Sequence, residues 1–165
     1  MLFPDTYTTI HSVLSLIALF TGALAVLTLF GVRLPGLVTT LFLITAVATS
    51  ATGFGFAFHG VLPSHIVGVI ALLILAAVLY ARYAAHLAGA WRWIYSVGLV
   101  ASLYLLVFVG IAQAFGKIAS LHALAPTQSE PPFAITQLVV LAVFVLIALA
   151  AAKLFRPAGG AFVGA

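Results

Sequence analysis

Five apolar runs of roughly twenty residues or more divide this chain, and no other feature narrows its fold so far. A hydrocarbon core about 30 Å thick is crossed by about 20 helical residues. The runs extend from Tyr7 to Val32, Leu37 to Phe58, Ser64 to Leu87, Trp93 to Phe115 and Phe133 to Phe155. In lipid no water satisfies exposed backbone N–H and C=O groups, so each run must close its hydrogen bonds internally, as helix. The breaks carry fitting punctuation: Arg33-Leu34-Pro35-Gly36, His59-Gly60-Val61-Leu62-Pro63 and Gly89-Ala90-Trp91-Arg92. Ser64 suits an N-cap for the third helix. The fourth run continues towards a short interfacial helix ending at Leu121. Three prolines between Ala123 and Pro132 then interrupt helix before the fifth run. The expected architecture is an all-α, polytopic bundle of five transmembrane helices, residues 1–165 forming one domain.

Composition excludes the soluble alternatives. Charged residues make up 5% of the chain and hydrophobic ones 65%, whereas a soluble domain carries about 25% charged residues to face water. The net charge of +4 would suggest nucleic acid in a soluble chain, but these cations stand singly at the ends of apolar runs, as membrane anchors do. Nucleic acid is therefore not an expected partner. Cysteine is absent, which removes disulfides, thiolate zinc sites, iron–sulfur clusters and thiol catalysis. The first residues hold no basic segment, and the run from Ile10 to Phe30 is longer than a signal-peptide core, so it reads as a retained helix.

Charge gives the orientation. Five crossings put Arg33, Arg82, Arg92, Lys153 and Arg156 on one side, with Lys117 alone opposite. The positive-inside rule makes the first side cytoplasmic, the N-terminus external and the C-terminus cytoplasmic. Both acids, Asp5 and Glu130, fall on the outer side. Tyr80, Tyr83, Trp91, Trp93 and Tyr95 gather at the cytoplasmic end as an aromatic belt. Arg82 and His86, four apart on one helix face, join Arg92 as expected contacts for anionic lipid headgroups. On the fourth helix, Gly98 with Ser102 and Gly110 with Ala114 form small-residue pairs suited to close helix contact, within the chain or with another copy.

The polar residues within the spans are skewed to the outer half. Thr49, Ser50 and Thr52 precede Gly53 and Gly55, while Gln113 and Gln137 lie at similar depth on the fourth and fifth helices. Polar groups in hydrocarbon are costly and turn towards a bundle interior, a cavity or each other. Thr49, Thr52, Gln113 and Gln137 are therefore the expected lining of an outer-half cavity for a small apolar ligand, a lipid or quinone. The bland readings stand beside this one. Threonine hydroxyls in helices bond back to their own backbone, and the two glutamines could bond each other for about 0.6 kcal/mol.

His11, His59, His65 and His122 reach the same outer face and together supply imidazoles for copper or zinc. Two of them, His11 and His65, could hold a shallow haem b if the first and third helices touch. By contrast His65 and His86 lie at opposite ends of one helix, about 31 Å apart, and cannot share a haem. No acid falls within a span, which removes the usual carboxylate of proton-coupled transport. Glycine-rich nucleotide loops, HExxH and GxSxG are likewise missing.

Gly53-Phe54-Gly55-Phe56, Ala81-Arg82-Tyr83 with His86-Leu87 and Trp91-Arg92, and the loop Ala125-Pro126-Thr127-Gln128-Ser129-Glu130-Pro131-Pro132-Phe133 resemble segments of small bacterial inner-membrane proteins. The resemblance covers most of the chain and implies a multi-pass protein of the bacterial cytoplasmic membrane. That group has no established activity to carry over. Three functional expectations follow. The first is a non-enzymatic accessory or assembly subunit with a lipid or quinone cavity, partnered by lipids, other membrane subunits or a second copy. The second is a redox subunit holding haem or copper on the outer histidines, and the third a channel or transporter for a neutral solute. The loop 121–132, whose Glu130 is placed to meet Lys117 or an outer histidine, is expected to act as a lid, a docking element or a plain crossover.

Overall fold

A computed structural model describes residues 4–56 and 63–157. Its elements are α1 (Pro4–Thr28), α2 (Gly36–Thr52), α3 (Pro63–Leu79), α4 (Trp91–Lys117), the short α5 (Ala119–Leu124) and α6 (Pro131–Leu154). Among the described residues there is no strand, and five helices are long and apolar enough to cross a membrane. The chain is thus an all-helical, multi-pass membrane protein in its architecture.

The helix ends depart from the sequence expectation for local reasons. α1 stops at Thr28, where Leu29 to Gly31 form a turn with Gly31 at a φ of 87°. α2 ends at Thr52 because Gly53–Gly55 tighten into a 3-10 turn and Phe56 is extended. Ser64 lies inside the first turn of α3, which opens on Pro63. α6 likewise opens on Pro131 and Pro132, positions whose amides would have no helical partner in any case. The interfacial helix α5 is separate from α4, broken at the extended Ile118.

Helix α3 ends in an unusual way. Tyr80–Ala84 form a π-helical turn, closed by Ala85 N–H donating to the Tyr80 carbonyl at 2.9 Å. Beyond it, His86 and Leu87 adopt positive φ values of 47° and 59°. The Leu87 amide returns to the Ala81 carbonyl at 2.9 Å, and its side chain packs against the core. Left-handed backbone costs a side-chain-bearing residue about 1–2 kcal/mol. Glycine is the usual occupant of such a cap. His86→Gly is therefore expected to stabilise the protein by about 1 kcal/mol, read as a higher unfolding midpoint in detergent. Leu87→Gly, which also removes a packed side chain, should not; equal gains from both would refute the account.

Cross-helix contacts fix the arrangement. Tyr7 and His11 meet Thr52, and Gly22 faces Phe42, so α1 and α2 are antiparallel. Gly68 against Phe54 with Thr40 and Leu79 lining one groove, Gly98 against Val78 with Arg82 on Tyr95, and Tyr104 against Phe144 with Gln137 on Phe108 give the same result for α2–α3, α3–α4 and α4–α6. α1 also packs on α4. The four helices α1–α4 therefore close a ring, and α6 lies outside it, chiefly against α4. Within α6 only Gln137 and Ala151 are buried.

We call the end holding His11, His65 and His122 the histidine end, and the end holding Arg33, Arg82, Arg92, Lys153 and Arg156 the arginine end. The dense core runs from mid-depth to the arginine end, through Leu29, Phe42, Val78, Tyr95, Leu99 and Val100. Two glycines allow it. A Cβ on Gly22 would stand 2.7 Å from Phe42 Cε2 and 2.9 Å from Leu103 Cδ1, and one on Gly98 would stand 2.6 Å from Val78 Cγ2. The Gly98–Ser102 face is thus used within the ring, against α3, while Gly110 faces Leu19 of α1.

Candidate functional site

The threonines of α2 mostly follow the local rule. Thr40, Thr45 and Thr52 donate to the carbonyls of Gly36, Leu41 and Ala48 at 3.1, 2.7 and 2.7 Å. Thr39 and Thr49 are exceptions: the Thr39 side chain meets Tyr95 instead, and the Thr49 hydroxyl is buried without a partner, one of three such atoms among the described residues, with Ser102 Oγ and Gln137 Oε1.

Thr52 also anchors the histidine end. Its carbonyl, at the junction of α2 and the 3-10 turn, accepts from the Tyr7 hydroxyl. Its Oγ1 lies 2.9 Å from His11 Nδ1. With the Thr52 hydroxyl donating to Ala48 O at 2.7 Å, the hydrogen-bond pattern assigns His11 Nδ1 as the donor to Thr52 Oγ1. The neutral imidazole therefore carries its proton on Nδ1 and presents Nε2 as an acceptor or ligand atom. Phe56 stands edge-on to both Tyr7 and His11, each with ring centroids 5.1 Å apart. Lys117 is close enough to His11 to act on it electrostatically.

The other expected metal ligands do not join this cluster. His65 stacks at 5.7 Å on Phe54, which fills the notch beside Gly68. His122 is exposed on α5. His59 lies outside the described residues. Among the described residues no three His, Cys, Asp or Glu side chains come together to hold a metal ion.

The four expected cavity residues occupy different seams. Thr49 and Thr52 sit on α2, the latter facing α1. Gln137 is buried between α6 and α4, its Nε2 donating to the Phe108 carbonyl at 3.1 Å. Gln113 is exposed. The two glutamines therefore do not pair, and no hydrogen bond among the described residues joins the four side chains. Instead Gln128 joins Gln137: its Nε2 donates to the Ala112 carbonyl at 2.9 Å, one turn along α4 from Phe108. Two amides thus pin the crossover and α6 to successive turns of one helix face.

This explains the loop. Gln128 holds it down at a φ of 57°, and Ala125 is fully buried. Glu130 meets neither Lys117 nor a histidine in the contacts it makes. Its carboxylate accepts from Thr127 N–H and O–H at 3.1 and 2.9 Å and from Ser129 N–H at 3.1 Å. Desolvation, the largest single influence, acts to raise its pKa, but these hydrogen bonds together outweigh it and hold the carboxyl below its ordinary value. A depressed pKa stabilises the loop above the ordinary carboxylate range, and that contribution is lost as pH falls through the folded value. The Thr127 and Ser129 amide shifts are expected to titrate together, with a common midpoint below the ordinary glutamate value of about 4.3. A midpoint at or above that value would contradict this.

At the arginine end, Arg82 in the π turn donates from Nη1 to the Tyr95 hydroxyl at 2.9 Å. Its guanidinium lies 5.6 Å from the Tyr83 ring centroid and 5.8 Å from that of Tyr95. Buried Tyr95 also interacts with the Thr39 side chain of α2 and stacks at 5.5 Å on Phe155 beyond α6. One phenol therefore ties four crossings together. Arg92 stacks on the Trp93 ring at 5.2 Å, and His86 is exposed.

Beside this node an open groove of about 480 Å³ runs between α2 and α3. Thr40, Leu43, Ile44, Val47 and Ala48 form one wall, and Leu79 and Tyr83 the other. The groove occupies the half of the protein opposite to the expected cavity. Composition alone could not find it, because its wall is as aliphatic as any other face. In comparisons with protein families, curated proteins and solved structures, nothing matches this chain. Its function must therefore be read from the groove and the two polar ends.

Proposed function

We propose that this is a non-enzymatic accessory or assembly subunit of the bacterial inner membrane that holds a lipid acyl chain in the α2–α3 groove. The observation that carries the reading is the groove itself: a concave, almost wholly aliphatic surface on a membrane-spanning bundle. Sites for small apolar ligands have this concave, mostly apolar form. The N-terminus outside and C-terminus in the cytoplasm follow from five cations at the arginine end. The expected ligand place thereby moves from the outer to the cytoplasmic leaflet. The groove is tested with delipidated protein and a pyrene-labelled fatty acid. Ile44→Trp, which lays a ring across the groove from an exposed position, is expected to weaken binding about tenfold or more. Unchanged binding would exclude the groove as the site.

One observation favours the redox alternative, namely the His11 Nδ1 bond to Thr52, which in the assigned tautomer makes Nε2 the acceptor nitrogen. A haem or copper centre on it predicts an optical spectrum in protein from its native membrane that His11→Ala abolishes. A colourless, metal-free preparation ends that reading.

A further inference from the structure

We propose that the lipid in the α2–α3 groove is an anionic phospholipid, with its phosphate held by the Arg82 guanidinium and one acyl chain lying against α2. This rests on the acyl-chain reading of the groove and adds the headgroup to it. Tyr83 links the two parts. Tyr83 is one of the groove's lining residues, and its ring carries the guanidinium 5.6 Å from its centroid.

Arg82 has the chemistry of an incomplete anion site. A guanidinium is charged at all working pH and offers five N–H donors in a planar fork. One nitrogen, Nη1, is engaged by Tyr95, and the flanking Tyr83 and Tyr95 rings hold the group in place. The chain has two acids, Asp5 and Glu130. Asp5 belongs to the first turn of α1 and Glu130 precedes α6, both at the histidine end. Among the described residues no carboxylate accompanies Arg82. A half-buried cation without a counter-charge is costly, and at a membrane surface the available anion is a lipid phosphate. Arg–phosphate pairing can be bidentate, which sets it above a diffuse attraction.

The length of the groove agrees. From Thr40 to Ala48 it follows α2 for about 12 Å, close to the roughly 15 Å hydrocarbon depth of one leaflet. A free phosphate would use Arg82 and leave the groove empty. A neutral lipid would use the groove and leave Arg82 bare. An anionic phospholipid satisfies both.

The test is native mass spectrometry of the full chain from detergent micelles containing equal dioleoyl phosphatidylglycerol and dioleoyl phosphatidylcholine, with inorganic phosphate as a separate arm. Wild type is expected to retain one phosphatidylglycerol about tenfold over phosphatidylcholine. Arg82→Gln should still retain lipid, with the preference reduced to about unity, and Arg82→Lys should keep an intermediate preference, as a point charge without the fork. Ile44→Trp should lose both lipids. Equal retention of the two lipids by wild type, or an undiminished preference in Arg82→Gln, overturns the headgroup assignment and leaves the groove reading standing. Lipid retained by Ile44→Trp, or none retained by wild type, overturns the groove reading itself. Competition by phosphate alone at lipid-like concentration would assign Arg82 to a free anion and also overturn the proposal.

Discussion

Gly22→Val is expected to lower the stability of the detergent-solubilised protein by about 3 kcal/mol. At this residue three helices meet, with Phe42 of α2 and Leu103 of α4 both closer than 3 Å to where a first side-chain carbon would stand. Membrane helices gain little from hiding apolar surface, because lipid is as apolar as leucine; they associate through close packing. Wedging two γ-methyls into that contact separates α1 from both neighbours at once. Gly22→Ala should cost less, since replacing a helix-interior glycine returns about 1 kcal/mol of helix propensity. Ala23→Val, one residue on and exposed, should change stability by less than about 0.5 kcal/mol. Denaturation by a graded detergent titration reads all three. Equal losses at positions 22 and 23 would mean the contact has no energetic weight.

Replacing Tyr95 is expected to have the other large effect. Tyr95→Phe keeps the ring on Phe155 but strips the acceptor from Arg82 and a partner from Thr39. Leaving buried donors unmatched costs about 1–3 kcal/mol. Tyr95→Leu also opens space in the core, and about 4 kcal/mol is expected in total. A double-mutant cycle of Tyr95→Phe with Arg82→Gln isolates the pair. A Tyr95→Phe protein as stable as wild type would mean the hydroxyl is idle and the ring alone matters.

How much of this was legible in advance follows from the solvent. Length and apolarity located all five crossings, since a run such as Phe133 to Phe155 has one physical use. Charge at the run ends collected Arg33, Arg82, Arg92, Lys153 and Arg156. The faces of the helices were not legible. In water, an apolar stripe marks the buried side, but α6 is apolar all round and buries two residues. No periodicity distinguishes its α4 side from its lipid side. The same blindness hid the groove and the ring closure. It also misassigned the glutamines: Gln113 and Gln137 share a depth, but depth does not fix which seam each faces. Backbone carbonyls, which carry no sequence signal, accept from Gln137 and Gln128 instead. Thr40, Thr45 and Thr52 of helix two bond to their own backbone as expected, whereas Thr39 and Thr49 do not. The π turn and the left-handed His86 left no signal, because glycine, the residue that usually announces such a cap, is absent there.

The placement of α6 outside the α1–α4 ring has a consequence for synthesis. A chain emerging from the ribosome meets the membrane in order, and the ring has all of its mutual contacts once Lys117 has been inserted. The last crossing then docks on a finished surface, guided by two amides that reach carbonyls on consecutive turns of α4. The order of synthesis thereby places the α6 contacts last, after every partner within the α1–α4 ring is already in the bilayer.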